Sequence, residues 1–166
     1  YYAGPAETWA AARGFSSAKV SALFGYTGGR QWDGDADAPL IDEGADPSRV
    51  IDFAVDRGLL PDELRPYSDD PALVNRRIEP HELEVAALFM VRDFAHIEAV
   101  GQALADAALE ALAQDIPVPF GMSVDGAYLS LLGENALYSG PTGDIQGNHA
   151  QYLNGYRWNA ARSSFD

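Results

Sequence analysis

The sequence contains no cysteine, which narrows the chemistry that its 166 residues can perform. Without thiols there is no disulfide framework, no thiolate metal site and no cysteine nucleophile. A chain of this length buries roughly 70% of its unfolded surface, so a core can form without covalent staples. The hydrophobic share of 47% and the charged share of 22% indicate a globular protein.

Positive charge is also scarce, because 11 Lys and Arg residues stand against 25 Asp and Glu residues, for a formal charge of −14. This acidity argues against binding the phosphate backbone of a nucleic acid and against docking on anionic lipid. No apolar run approaches the roughly 20 residues that span a bilayer. We therefore expect neither nucleic acid nor membrane among the partners, and the acidity is interpreted as a source of solubility.

The signals of a metal or cofactor site are weak. The three histidines, His81, His96 and His149, have no flanking carboxylates at metal-ligand spacing. The acidic stretch "DGDADAPLIDEGAD" lacks the later glycine and the final glutamate of a calcium loop, so a solvated loop is the better interpretation. The glycines of "GYTGG" and "SGPTGD" have no phosphate-binding lysine beside them. We expect no metal and no cofactor.

Helical patterns come first along the chain, and strand patterns follow. The pattern predicts a helix from about Thr8 into the 20s, with a break near Gly14 and a stop at Gly28–Gly29. Further helices are predicted from Asp46–Pro47 to Gly58, in "EPHELEVAALF" and over 97–113. Strands are predicted around "LFMVRDF", "IPVPFGMSV" and "HAQYLNGYRW", with a further one beginning in "SSFD". This segregation indicates an α+β fold.

Two stretches carry the functional signal. In "GPAETWAAARGF" a hydroxyl, Thr8, precedes Trp9 near the expected start of a helix, and far along the chain "GNHAQYLNGY" presents His149. The order and spacing resemble the papain-like cysteine proteases, in which a Cys-Trp pair opens a buried helix and the histidine follows about 130–150 residues later. "GNHAQYLNGY" is similar to the G-x-H-A…GY strand of that family. The segments "DEGADPSRVIDFAVDRGLLPDELRPY" and "VRDFAHIEAVGQALADAALEALAQDIPVPFGMSV" resemble its intervening parts.

The resemblance implies a papain-like α+β fold, with a helical half packed against an antiparallel sheet half. It makes residues 1–166 one such domain, incomplete at both ends and part of a longer chain. It places Thr8 at the nucleophile and His149 at the catalytic histidine. Tyr2 takes the place of the glutamine that donates to the oxyanion, and Asn159 is the only candidate within the chain for the asparagine that orients the histidine.

The same resemblance assigns Trp9, Gly44, Ala45 and Asn148 to a groove that accepts an extended peptide. Thr8, Trp9 and His149 each have a plainer alternative. Thr8 is then a helix cap or first-turn residue, Trp9 a core residue under the former cleft, and His149 a structurally satisfied relic.

The substitution of sulfur by a branched alcohol favours a catalytically inactive domain with a structural or a protein- or peptide-binding role. A larger assembly, such as a surface layer or a virion, is one setting, and it would place the protein outside the cell or in a virion. The alternative is an active hydrolase in which Thr8 attacks, His149 acts as the base and Tyr2 helps to bind the oxyanion. A native cysteine replaced by Thr8 is a further alternative.

Overall fold

The computed structural model describes residues 3–14, 19–32, 40–91, 94–131, 138, 140–156, 158–159 and 164–165. The helices are α1 (Ala3–Ala12), α2 (Ala22–Gln31), α3 (Pro47–Arg57), α4 (Pro71–Val74), α5 (Pro80–Ala86), α6 (Gln102–Ala113) and α7 (Gly126–Leu129), with a 3-10 turn at Asp62–Leu64. The strands are β1 (Val118–Asp125), β2 (Ile145–Leu153), β3 (Trp158–Asn159) and β4 (Ser164–Phe165). Within the described ranges α1 to α6 precede the first strand and only the short α7 lies between strands, and this segregation confirms the predicted α+β class.

The pair α2 and α3 forms the centre of the helical part. A Cβ at Gly28 would lie 2.2 Å from Cδ1 of Phe53, and a Cβ at Gly29 would lie 2.5 Å from Cγ2 of Val50. The two glycines therefore sit inside α2, where they let α3 approach its backbone. The prediction that the helix stops at Gly28–Gly29 is wrong, because close packing rather than chain reversal requires these glycines.

Local signals define both ends of α3. The side chain of Asp46 accepts a hydrogen bond from the backbone N–H of Ser48, and Pro47 occupies the first turn. At the other end Gly58 adopts a φ of 89°, and its N–H donates to the carbonyl of Ala54. The predicted helix is confirmed at both boundaries. Phe24 and Phe53 pack with ring centroids 5.2 Å apart, in a buried cluster that includes Leu60 and Ala86.

A buried ion pair connects α2, the 3-10 turn and α5. Arg65 and Glu82 have side chains only 2% and 1% exposed, and Nη1 of Arg65 lies 3.1 Å from Oε2 of Glu82. Arg65 also donates to Oγ1 of Thr27 at 3.1 Å, and Glu82 accepts from Arg76 at 2.6 Å. Burial holds the pKa of Arg65 below its usual value, and the charge of Glu82 offsets part of that effect. Two charges are stable here because each has several partners.

The long helix predicted over 97–113 begins later, at Gln102. Gly101 precedes it with a φ of 59°, a left-handed conformation that separates the helix from Ile97 and Val100. The strand predicted around "LFMVRDF" is not formed at 88–91, and residues 92–93 lie outside the described ranges.

The strands of the main sheet are antiparallel neighbours. The register runs from Val118 opposite Leu153 to Val124 opposite Gly147, and an irregularity between Val124 and Asp125 leaves Asp125 opposite Ile145. A second pair, β3 and β4, places Asn159 opposite Ser164, so Asn159 lies in a strand. None of the helices in the described part of the chain is long and apolar enough to cross a membrane.

Candidate functional site

Thr8 lies in the second turn of α1, because the helix begins five residues earlier than the sequence predicts. Pro5 is compatible with this early start, since a proline in the first turn lacks only an N–H that would have no partner within the helix. The interpretation of Thr8 as an N-cap or first-turn residue is therefore wrong. Tyr2, expected at the oxyanion position, lies outside the described residues.

The half-buried Thr8 lines a small cavity of about 40 Å³. Its lining consists of Thr8, Ala12, Leu112, Asp115, Ile116, Pro117 and Asn154. The first turn of α1 lies against β2, because a Cβ at Gly4 would stand 2.6 Å from a ring atom of Tyr152. The cavity thus lies where α1 meets the C-terminal end of α6 and the segment after β2.

Trp9 is on the surface, with 46% of the residue exposed. The guanidinium of Arg13 lies 4.1 Å from the centroid of its indole ring and also donates to its carbonyl oxygen. The interpretation of Trp9 as a core residue is therefore wrong. Its ring is available for contact with a partner, and Arg13 covers one face.

His149 lies in β2, opposite Met122, and is exposed. Its imidazole contacts the ring of Tyr128, with centroids 5.5 Å apart. Side chains alternate along a strand, so His149 and Tyr152 point to opposite faces of the sheet. The structure thus places Thr8 beside Asp115 and Asn154, and His149 beside Tyr128. The pairing of the Thr8 hydroxyl with the His149 imidazole stays a prediction.

Asn148 precedes His149 and takes part in a cross-strand contact. Its Oδ1 accepts a hydrogen bond of 2.9 Å from Oγ of Ser123, which is the residue opposite in the register. Both side chains are exposed. The amide NH₂ of Asn148 therefore remains a donor that a partner on this face of the sheet could use.

The segment with Gly44 and Ala45 is attached to α2 through Tyr26, which the sequence did not single out. The backbone N–H of Gly44 donates to the Tyr26 hydroxyl at 3.1 Å, and that hydroxyl donates to Asp42. Burial, with a smaller contribution from Asp42, raises the pKa of Tyr26. Gly44 has a φ of 94° and open space at its Cβ position. The amide of Gly44 therefore already has a partner, and the assignment of this segment to a peptide-binding groove stays a prediction.

A second group of residues lies at the end of β1, and sequence reasoning missed it. The carboxylate of Asp125, only 1% exposed, accepts hydrogen bonds from the backbone N–H groups of Tyr128, Thr142 and Gly143, at 3.1, 2.7 and 3.0 Å. The Tyr138 hydroxyl donates to it at 3.1 Å. We call these five residues the Asp125 cluster. The N–H of Thr142 contributes most to lowering the pKa of Asp125 to about 2.

One signal of the cluster was present in the sequence. Asp125 directly precedes Gly126 and the short helix α7, and its side chain accepts from the third residue of that helix. An aspartate before a short run of helix-forming residues is a typical N-cap. The contacts with Thr142 and Gly143 join positions that are far apart in the chain and carry no local signal.

Comparisons with known proteins identify the fold. No family model and no curated protein matches the chain. Among solved structures, the crystal structure of xylellain, a cysteine protease from Xylella fastidiosa, is similar with a TM-score of 0.70. The chain has a papain-like fold. The match covers 93% of this chain and 61% of the xylellain chain at 21% sequence identity. The chain thus spans about three fifths of the length of that protease.

Within the papain-like fold, the predicted orienting residue Asn159 lies in β3, and its role stays a prediction. Among the residues that the structure describes, no group of three or more histidine, aspartate or glutamate side chains could hold a metal ion. The candidate site, as far as the structure describes it, consists of the Thr8 hydroxyl in α1, the His149 imidazole in β2 and the polar groups around each of them.

Proposed function

We propose that this chain is a catalytically inactive papain-like domain that binds a protein or an extended peptide. The observation that carries the proposal is the position of Thr8, a branched alcohol in the second turn of α1. The similarity to a cysteine protease supports the groove, and the absence of any cysteine supports its inactivity.

The chemical argument starts from the difference between sulfur and oxygen. A thiol has a pKa near 8.5, which a helix N-terminus or a neighbouring imidazolium lowers further, so a thiolate forms at neutral pH. An internal threonine hydroxyl gains no such charge, and Thr8, which follows Glu7 in the chain, has no α-amino group of its own like the one that activates other threonine nucleophiles. The first turn of α1, Ala3–Ala6, carries no nucleophilic side chain either.

Thr8 and His149, the two expected catalytic residues, have different neighbours in the structure. Thr8 lines a cavity with Asp115 and Asn154, whereas the imidazole of His149 contacts Tyr128. A general base has to reach the proton that it removes, at about 2.6–3.2 Å or through one water molecule. Whether Thr8 and His149 meet at that distance stays a prediction, so the proposal rests on the chemistry of the threonine hydroxyl.

The proposed binding groove is supported by the polar and aromatic groups on its surface. Trp9 has an exposed aromatic ring, Gly44 has an exposed backbone, and Asn148 has an exposed amide side chain. Main-chain pairing with an extended segment is a common mode of peptide recognition. A larger assembly, such as a surface layer or a virion, is the setting that we propose for such a partner, with a location outside the cell or in the particle.

The sequence contains no cysteine, so no thiol competes for an electrophilic probe in the experiment that tests the proposal. The protein is incubated with an electrophilic peptide probe, and adducts are measured by intact-mass spectrometry. We expect no adduct on the native chain. An adduct on Thr8 that disappears in Thr8→Ala, together with hydrolysis of a peptide substrate, would show an active hydrolase and overturn the proposal.

Two variants then test the groove itself. Thr8→Cys places a thiol at the proposed nucleophile position, and Ala11→Cys places a matched control on an exposed part of the same helix. Labelling by a peptide epoxide is divided by labelling by iodoacetamide, which corrects for thiol accessibility. We expect a higher ratio for Thr8→Cys, because a peptide held in the groove delivers the electrophile there. Equal ratios would contradict a peptide-binding groove at Thr8.

A further inference from the structure

The imidazole of His149 belongs to a chain of aromatic contacts at one end of the sheet. Its centroid lies 5.5 Å from that of Tyr128, and the rings are inclined at 49°. Tyr128 in turn meets Tyr138 edge to face, at 5.2 Å and 82°. Both distances lie in the range of about 4.5–7 Å in which aromatic pairs attract each other.

The Asp125 cluster holds the two tyrosines in place through hydrogen bonds to the carboxylate of Asp125. The carboxylate caps α7 by accepting a hydrogen bond from the N–H of Tyr128, and it accepts another from the hydroxyl of Tyr138. It also binds the N–H groups of Thr142 and Gly143, just before β2 begins at Ile145. One buried carboxylate therefore holds the helix that carries Tyr128 and the backbone that leads into the strand of His149.

The register brings the two parts together. Asp125 lies opposite Ile145, four residues before His149, at the irregularity that ends the regular pairing of β1 and β2. Such irregularities often re-aim side chains next to functional sites. The short helix α7 follows immediately, and its third residue, Tyr128, reaches the imidazole.

We propose that Tyr128 is a positioning residue for the His149 imidazole, and that Asp125 fixes Tyr128 in that place. This assigns the orientation of the histidine to an aromatic ring, whereas the sequence offered only Asn159 for that role. A side chain that is held in one rotamer presents its polar atoms to a partner at a lower entropic cost. The inference concerns the free protein, so it stands or fails independently of peptide binding and of hydrolysis.

The experiment follows the imidazole directly. Proton NMR records the ring signals of the three histidines at one fixed pH, with assignments from single His→Gln variants. Tyr128→Leu removes the ring, and Tyr128→Phe keeps it while removing the hydroxyl. We expect the His149 signals to move in Tyr128→Leu and to keep their native positions in Tyr128→Phe. If Tyr128 acted through its hydroxyl and not through its ring, Tyr128→Phe would move the His149 signals as well.

Chemical modification supplies an independent reading. An aromatic pair is worth about 1 kcal/mol beyond its buried area, which corresponds to about a fivefold change in an equilibrium. We therefore expect carbethoxylation of His149 to accelerate by roughly that factor in Tyr128→Leu. Phe94→Leu is the matched control, because the Phe94 ring contacts the imidazole of His96 at 5.1 Å. It should change His96 and leave His149 unchanged.

The role of Asp125 is tested with Asp125→Asn and with the milder Tyr138→Phe, which removes one hydrogen bond and keeps the ring. Both should shift the His149 signals in the same direction as Tyr128→Leu, and by less. Native His149 signals and reactivity in Tyr128→Leu would overturn the proposal. The assignment of Asp125 would be wrong under a different result. In that case Tyr128→Leu moves the His149 signals, whereas Asp125→Asn and Tyr138→Phe both fold and leave those signals unchanged.

Discussion

The packing of α2 on α3 gives a prediction whose sign depends on two opposing effects. Gly28→Ala adds one methyl group in the interior of α2. Helix propensity favours alanine over glycine by about 1 kcal/mol. Against this, the new Cβ would lie 2.2, 2.3 and 2.6 Å from three ring atoms of Phe53. Overpacking a well-packed core costs about 1–3 kcal/mol, and these three close contacts favour the upper end.

The net expectation is that Gly28→Ala lowers the free energy of unfolding by about 2 kcal/mol. For a chain of this size that corresponds to a fall in Tm of about 4–8 °C, measured by circular dichroism in the far ultraviolet. Gly121→Ala is the control, because nothing lies within 4 Å of its Cβ position. In a Phe53→Leu background the cost of Gly28→Ala should fall by at least about 1 kcal/mol, since the opposing ring is gone.

An unchanged or higher Tm for Gly28→Ala would refute this reasoning. It would mean that α3 moves away from α2 at little cost, so that the glycines inside α2 are not required by the contact with Phe53. A Phe53→Leu background that leaves the cost unchanged would refute it as well, because the loss would then not come from the contact with the Phe53 ring.

Two further predictions concern buried charges. Glu82→Gln should lower the free energy of unfolding in urea by about 3–5 kcal/mol, because the Arg65 charge stays buried without a counter-ion, whereas Glu79→Gln at the half-exposed neighbour should cost less than about 1 kcal/mol. Equal costs would contradict the importance of the buried pair. Asp125 has a folded-state pKa of about 2 against an ordinary 3.8, so its stabilisation is present above the ordinary value and is lost as the pH falls towards 2. When Tm is measured against pH, it should fall less steeply at acid pH in Asp125→Asn than in the native protein. An identical fall would contradict the stabilising role of the Asp125 carboxylate.

Local signals were enough to predict some elements. The aspartate cap, the proline and the terminal glycine of α3 all lie within or directly beside the helix, so the sequence alone indicates both boundaries. The strand around His149 was also predictable, since "GNHAQYLNGY" overlaps β2 in position. In each case the deciding interactions are made within the element or by its immediate neighbours.

Other features depend on contacts that the sequence does not display. Gly28 signals a helix end by its type, and only the ring of Phe53, in the next helix, explains why it lies inside a helix. Arg65 and Glu82 are residue types that are usually exposed, yet they form a buried pair. The contact of Tyr128 with His149 joins α7 to β2 across an irregular register. The strand that carries His149 was therefore predictable, and the residues that surround the imidazole were not.

The two ends of the segment between α7 and β2 are joined to a single oxygen-bearing group, the carboxylate of Asp125. Closure of that loop thus depends on its base and on Tyr138, whose hydroxyl donates to the same carboxylate, whereas lengthening a loop adds only a slowly growing entropic term. Insertions that keep Tyr138 on the carboxylate would leave the base with the same geometry. Evolution, or a protein engineer, could use this stretch as a place to graft new recognition sequences beside the imidazole.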